Sequence, residues 1–402
     1  MMNQLVRLGD FCEQDRNTVR PGEGSELRYI GLETIESGTG QFQNGELSKT
    51  PEIPQANSFR FRPEHVLYGK LRPYLNKVAL PDFDGKCSTE IIPLKPKPGL
   101  DRRYLFYFLR SADVVDRISR KTAGARMPRA DMDFVLELQL PLPPLEEQRR
   151  VVDLLARAEG IVRLRRDAQK KAAEIIPALF LDMFGDPATN ARGWATRRVR
   201  DLVARFEGGK NLRAADDGGT QFQILKVSAV TSGRYIESES KPTPAGYEPP
   251  ANHIVRGGDM LFSRANTQQL VGATAIVEAT DGHTLLPDKL WRFIWAEDVD
   301  QRYMHALFQS KHVRAELGKL STGTSGSMRN VSQEKLFSLR LPIAPLDRQR
   351  AFGRRAEAMR AVVAQQEAAV RHADSLFRAL LARFLSGGEQ QERLPSEEAA
   401  VT

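Results

Sequence analysis

One phrase is written twice in this chain, and it limits the possible folds more than any other feature. Residues 140–150 read LPLPPLEEQRR and residues 341–351 read LPIAPLDRQRA. Leu140, Pro141, Pro144, Leu145, Gln148 and Arg149 return as Leu341, Pro342, Pro345, Leu346, Gln349 and Arg350, at an offset of 201. The offset then holds without a gap for about 45 residues. A stretch that repeats without insertion is one structural unit used twice.

Each phrase leads into a run of helical period. Val151, Leu155, Ala158, Val162, Ala172, Ile176, Leu179 and Met183 fall on 3–4 spacing, and so do Phe352, Ala356, Met359, Val363, Gln366, Val370, Ala373, Phe377, Leu380 and Phe384. Both seams turn polar at the same repeat position, Arg165 and Gln366, as a coiled-coil register point does. Pro144 and Pro345 suit helix entry. Glu146, Glu147 and Asp347 then place carboxylates in the first turn, where the helix dipole favours them. Gly185 with Pro187, and Gly387 with Gly388, stop the helices, and Pro177 predicts a kink in the first. Each helix spans roughly 40 residues, about 60 Å at 1.5 Å per residue. Neither can bury its apolar stripe alone, so the economical arrangement packs one on the other. The expected helix-pair and partner interface comprises Leu145, Gln148, Val151, Leu155, Val162 and Leu179 with Leu346, Gln349, Phe352, Val363, Phe377 and Leu380.

The segments before each helix also repeat, more loosely. YIGLETIESG (29–38) resembles ILKVSAVTSG (224–233), VLYGKLRPYLNKVAL (66–80) resembles MLFSRANTQQLVGATAIV (260–277), and DRRYLFYFLRS (101–111) resembles DQRYMHALFQS (300–310). With RLGDF (7–11) and RVRDL (198–202) included, the offsets drift from about 191 to 199, as they do when loops gain and lose residues around a kept frame. The short β-branched and aromatic runs predict strands and the RYLFYFL and RYMHALF runs short helices. The expected fold class is therefore α+β: two mixed α/β globules, each followed by a long helix, with the two helices packed together. The expected boundaries are 1–142 for the first globule, 143–187 for its helix, 188–342 for the second globule, 343–388 for its helix, and 389–402 for a disordered acidic tail.

Composition excludes more than it assigns. Two cysteines in 402 residues, Cys12 and Cys87, rule out a disulfide scaffold or a four-cysteine zinc site. No apolar run is long enough to span a membrane and no hydrophobic signal opens the chain, so the expected location is cytoplasmic, with no membrane partner. No GxxxxGK[ST] loop or GxGxxG turn is present, and the six histidines are scattered, so no cofactor, metal site or catalytic residue is expected. The net charge of +8 permits a nucleic-acid partner. It lies mostly in residues 188–342 (+5) and 343–388 (+4) and forms no polybasic arm, so contacts must come from folded surfaces.

Basic, amide-rich and aromatic loops recur at matching places in both globules. The first pair is GKLRPYLNK (69–77), with Lys70, Arg72, Tyr74, Asn76 and Lys77, and SRANTQQ (263–269), with Arg264, Asn266, Gln268 and Gln269. The second pair is GARMPR (124–129), with Arg126 and Arg129, and GTSGSMRN (323–330), with Ser325, Arg329 and Asn330. Arginine pairs bidentately with guanine, and asparagine or glutamine with adenine, while serine- and glycine-rich loops let backbone amides reach phosphate. These residues are the candidate DNA contacts.

The chain resembles the specificity subunit of type I restriction–modification systems. The likeness rests on the two repeated phrases with their helices, on MLFSR and TSGSMRN, and on the helix end IIPALFLDMFGDP. It covers nearly the whole chain to about Gly388. It implies two target-recognition domains held apart by an antiparallel helix pair with pseudo-twofold symmetry, each reading one half of a split, asymmetric site on double-stranded DNA. It also implies two adenine-N6 methyltransferase subunits and restriction-translocase subunits as partners, with the chain itself non-catalytic. Arg348 stands where the first copy has Glu147, and the second helix is the more basic, which leaves the symmetry of partner binding open. The alternative is a coiled-coil adaptor or RNA-binding scaffold that does not read DNA sequence. A lone DNA-modifying enzyme is disfavoured by the missing cofactor motif. The recognised sequence and spacer length are not legible in residue types alone.

Overall fold

A computed structural model describes residues 4–43, 56–124, 126–212, 221–325 and 328–385; the expected tail 389–402 lies outside them. The chain divides into two compact units, Met1–Asp167 with Ala368–Thr402, and Ala168–Glu367. The long helices are Leu145–Phe184 and Leu346–Leu385, each 40 residues and each beginning at the same repeat position. Every unit thus contains one globule and one half of each helix.

In unit 1 the strand Leu5–Arg7 pairs antiparallel with Gln139–Pro141, so the start of the globule is stitched to the segment that enters the first long helix. One four-stranded sheet runs Cys12–Gln14, Ile91–Pro96, Val66–Gly69, Val78–Ala79, and a second runs Thr18–Val19, Ser58–Phe61, Gly85–Ser88, Arg28–Ile30, its last pair parallel. Helices Arg102–Arg110 and Ala112–Arg120 complete the layer; Asp101 caps the first by accepting the Arg103 and Tyr104 amides. Unit 2 repeats the plan. Ala195–Arg198 pairs with Arg340–Ile343. A four-stranded sheet runs Val203–Gly208, Leu290–Trp295, Met260–Ser263, Thr274–Ile276. Helices Gln301–Gln309 and Lys311–Leu320 come next, with Asp300 and Ser310 as caps.

The helix halves pack antiparallel within each unit. In unit 1 Val151, Val152, Leu155 and Val162 share a core with Phe377, Leu381 and Leu385, and Tyr107 of the globule meets Phe377 edge-on at 6.4 Å. In unit 2 Phe180 and Phe184 pack on Phe352 at 5.7 Å each, beside Tyr303. Burying rings of this size contributes about 1.5–3 kcal/mol apiece, which is what holds such long helices in place.

Three details depart from the sequence reading. The buried positions late in the first helix are Phe180 and Phe184, one residue beyond Leu179 and Met183, which are only partly buried. In the second helix Leu381 and Leu385 are buried where Leu380 and Phe384 were expected. A stripe of 3.6 period drifts along a 40-residue helix, and the aromatic surface it meets selects the register. Arg165 is exposed, and the polar link between the helices in unit 1 comes from its neighbour: Arg166 pairs with Asp374 at 2.9 Å. As the sequence predicts, the helix continues through Pro177, and Gly185, at φ +77°, stops it by donating its amide to Leu181 at 2.8 Å.

The repeated phrase also acts otherwise than expected. Gln148 and Gln349 are almost fully buried, and each bonds to its own globule instead of the opposite helix. Gln148 accepts the Asp101 amide at 2.8 Å and donates to the Gly99 and Pro143 carbonyls at 2.8 Å. Gln349 accepts the Asp300 amide at 3.1 Å and donates to Ala344 at 2.8 Å. Tyr104 and Tyr303 donate to the carbonyls of Pro141 and Pro342 in parallel fashion. The phrase is a latch that locks a helix start onto the capped helix of its globule. Leu145, by contrast, is exposed, and Leu346 is half-buried.

Candidate nucleic-acid interface

Each unit brings together two loops that the sequence keeps well apart, and both do so with the same backbone bonds. In unit 1 the Lys70 amide donates to Glu90 and its carbonyl accepts from Ala130, at 2.9 and 2.8 Å. Leu71 bridges Arg129, and the Arg72 amide donates to Pro128 at 2.7 Å. In unit 2 the Arg264 amide donates to Lys289 and its carbonyl accepts from Val331, at 3.1 and 2.9 Å. Ala265 and Asn266 then pair with Asn330 and Arg329 in a small sheet that Thr322–Ser325 completes. Lys70 and Arg264 are thus counterparts in three dimensions, and GKLRPYLNK with GARMPR, and SRANTQQ with GTSGSMRN, form one composite surface in each unit.

The side chains differ in how far they are free. Arg72 and Asn76 flank the single turn Pro73–Leu75 with φ of 53° and 50°. Two non-glycine residues in the left-handed region store strain, which a surrounding structure must hold. The outcome is that Arg72 is exposed and Tyr74 keeps 56% of its surface in solvent. Arg126 is also exposed. Asn76 is half-buried and donates to the Arg110 carbonyl at 3.1 Å, and the Lys77 amine is spent on the Leu32 carbonyl at 2.6 Å. Arg129 forms a bidentate pair with Glu90 at 2.8–3.1 Å, and that hydrogen-bonded carboxylate holds its guanidinium more firmly charged than usual.

In unit 2 Arg264 donates to the Asp288 carbonyl at 2.7 Å and lies over the Trp291 ring at 5.5 Å, a cation–π contact. Arg329 is tied to Ser321 through its hydroxyl at 2.9 Å and its carbonyl at 2.8 Å. Asn266 turns back to accept the Thr267 amide, Asn330 is half-buried, and Gln268 and Gln269 are exposed. The side chain of Ser325 lies outside the described residues. Residue types alone therefore overstated the free contacts: Asn76, Lys77, Arg264 and Arg329 build the loops, whereas Arg72, Tyr74, Arg126, Gln268 and Gln269 stand out from them.

Beside the unit 1 surface lies an open groove of about 710 Å³ lined by Arg16, Lys70, Arg120, Lys121 and Arg129, with Asp131 and Asp133. Arg16, Arg120 and Lys121 belong to no motif of the sequence. The signal that could have marked them is the basic pair at the end of Ala112–Arg120, which the second unit replaces by Lys319 and Leu320. Among the described residues no group of His, Cys, Asp and Glu is placed to hold a metal ion, and no helix is long and apolar enough to cross a membrane.

Comparison with known proteins bears on the same loops. A family model described as the type I restriction modification DNA specificity domain matches residues 3–174, which hold the unit 1 loops and most of the first long helix. Among curated relatives, the EcoEI specificity subunit of Escherichia coli is 28% identical over 199 residues, 48% of this chain and 33% of the relative. The EcoDI subunit of the same organism is 29% identical over 53% of this chain and 46% of its own. The chain thus spans a third to about half the length of these two relatives. The EcoKI specificity subunit of Escherichia coli strain K12 matches more widely, at 23% identity over 87% of this chain and 80% of its own. Two solved structures share the fold across the whole chain. One, from work on complex assembly and conformational transition of the type I R-M system, gives a TM-score of 0.59 at 21% identity, covering 95% of this chain and 97% of the other. The other, the S subunit of a type I restriction-modification system from M. genitalium, gives 0.54 at 12% identity, covering 96% of each. The fold shared with these two structures therefore extends over both units.

Proposed function

We propose that this chain is the DNA-binding specificity subunit of a type I restriction–modification complex, reading an asymmetric, bipartite site with one composite loop surface per unit. The observation that carries the reading is the matched pairing of loops around Lys70 and Arg264. Two globules with different side chains on the same backbone frame suit two different half-sites. The relatives' names, all type I restriction enzyme specificity subunits, support it. Two adenine-N6 methyltransferase subunits and restriction-translocase subunits are the partners this reading assigns, in the cytoplasm, and the catalysis is theirs. Arg72, Tyr74 and Arg126 are assigned to one half-site, Gln268 and Gln269 to the other.

The test is to express the chain with its methyltransferase and map methylated adenines. A split motif with a fixed spacer is expected. Arg72→Ala and Arg126→Ala should then weaken reading of one half only, each base contact contributing about 1–3 kcal/mol of discrimination. Equal losses on sites altered in either half would reduce these loops to backbone contacts. An unsplit motif would overturn the reading.

A further inference from the structure

The groove of unit 1 draws cations from separate parts of the globule. Arg16 comes from the turn between Cys12–Gln14 and Thr18–Val19, Arg120 and Lys121 from the end of Ala112–Arg120, and Lys70 and Arg129 from the paired loops. Five cations face two carboxylates, and one of the five, Arg129, is already paired with Glu90 at 2.8 Å. One of the two carboxylates, Asp131, is occupied in capping Met132–Glu137 through the Asp133 and Phe134 amides. Among the described residues Arg16 bonds the neutral Gln14 amide and no carboxylate. Among the described residues neither the Lys70 nor the Lys121 amine has a partner. Arg120 pairs with Asp116 at 2.7 Å, but 78% of its side chain is in solvent, where such a pair contributes little. The negative end of a helix dipole accounts for a basic last turn. It does not account for Arg16 and Lys70 converging on the same space from other elements.

We propose that Arg16, Arg120 and Lys121 grip the phosphate backbone of duplex DNA along this groove, presenting the bases to Arg72, Tyr74 and Arg126. The inference rests on reading unit 1 as DNA-binding, and it names the residues that supply the sequence-independent, salt-dependent part of that binding. Unit 2 does not repeat the arrangement, because the residue matching Arg120 is Lys319, paired with Glu316 at 2.7 Å, and the residue matching Lys121 is the apolar Leu320.

The experiment measures binding of the full chain to fluorescent duplexes of several sequences, between roughly 50 and 200 mM salt. The groove variant carries Arg16→Gln, Arg120→Gln and Lys121→Gln. A charge-matched control carries Arg7→Gln, Arg103→Gln and Arg117→Gln, three exposed residues of the same unit outside the groove. Each lost phosphate contact lowers the slope of log affinity against log salt by about 0.9, so the groove variant should lose about 2–3 units of slope and at least tenfold in affinity, alike on all sequences. The control should lose less than about one unit. Equal losses in both variants would mean that overall charge acts and the groove does not, and an unchanged slope in the groove variant would also overturn the assignment. A loss confined to particular sequences would make these residues base readers. If the unaltered chain, shown folded by circular dichroism, binds no duplex, the reading beneath the proposal fails with it.

Discussion

The two units fasten a long helix to a globule at the same repeat position with opposite charges. In unit 1 the helix supplies Glu159, which takes up Arg110 at 2.6 Å and the Tyr107 hydroxyl at 3.0 Å. Arg110 is buried, lies over the Phe106 ring at 4.4 Å, and also donates to the Gly38 carbonyl at 2.7 Å. In unit 2, 201 residues on, the helix supplies Arg360, which pairs with Glu278, while Arg302 joins Glu278 to Glu357. These carboxylates are more than half exposed. One joint centres on a buried arginine, and the other is a wetter network of four charged groups. A repeat can keep its backbone latch, Gln148 and Gln349, while the charges around it reverse, provided each change arrives with its complement.

The difference has a large expected consequence. Glu159→Ala leaves the Arg110 guanidinium buried and unpaired, which should destabilise unit 1 by about 3–5 kcal/mol. Arg360→Ala removes a half-buried cation from a network whose carboxylates are mostly in solvent, and should change unit 2 by less, about 1 kcal/mol. Denaturant unfolding followed by a probe in each unit measures both. Comparable losses would mean that the two joints are equivalent despite their burial.

A second contrast concerns pH. Burial pushes the His305 imidazole, which bonds the Thr274 hydroxyl at 2.9 Å, down to about 4. Burial, with Lys210 and Arg292 nearby, also lowers His253. Both are in unit 2. A histidine kept neutral in the fold stabilises fully above its unfolded pKa, near 6.5. Below that pH the unfolded chain binds the proton first, so stability falls as pH drops and the loss levels off near pH 4. For His305 it should amount to at most about 3 kcal/mol. His305→Phe should flatten the profile of unit 2 between these limits. An unaltered slope in that variant would show that His305 does not set the pH dependence.

The latches themselves should differ by one bond. Gln148→Leu strands the Asp101 amide and the Gly99 and Pro143 carbonyls, and Gln349→Leu strands the Asp300 amide and the Ala344 carbonyl. Losses of about 2–3 and about 1–2 kcal/mol are expected, respectively. A larger loss in unit 2 would show that bond count is not what sets the latch strength. The smallest contrast lies in the loops. Arg264→Ala gives up the Trp291 and Asp288 contacts and should cost about 1 kcal/mol, while Arg72→Ala should stay within about 0.5 kcal/mol. Thermal melts resolve the two.

Much of the fold was legible because its signals are local. Proline and carboxylates opened both 40-residue helices and Gly185 closed the first, while Gly387 and Gly388 lie outside the described residues; the loops that come together were the ones whose composition repeated. The candidate contacts were less legible. Lys77, Asn76 and Arg329 have the chemistry of DNA contacts, but each spends its donors on a carbonyl or hydroxyl of its own unit. Arg16 sits alone in sequence and gains a role only where the fold sets it beside Lys70 and Lys121. No pattern of spacing reports whether a polar group's partner is water or another part of the chain.

From the sequence alone came two copies of one phrase-and-helix element, of equal length, each preceded by an α/β globule on a common frame; the latch role of Gln148 and Gln349 did not. Gapless repetition at an offset of 201 forces equal geometry on equal patterns. Tertiary structure alone decided which residues close the seam, since Phe180 and Phe184 are chosen over Leu179 and Met183 by the rings of Phe352 and Tyr303. It alone decided that Glu159 meets Arg110 across 49 residues of chain. Periodicity is a property of neighbours along the backbone, whereas burial and charge pairing depend on what stands opposite.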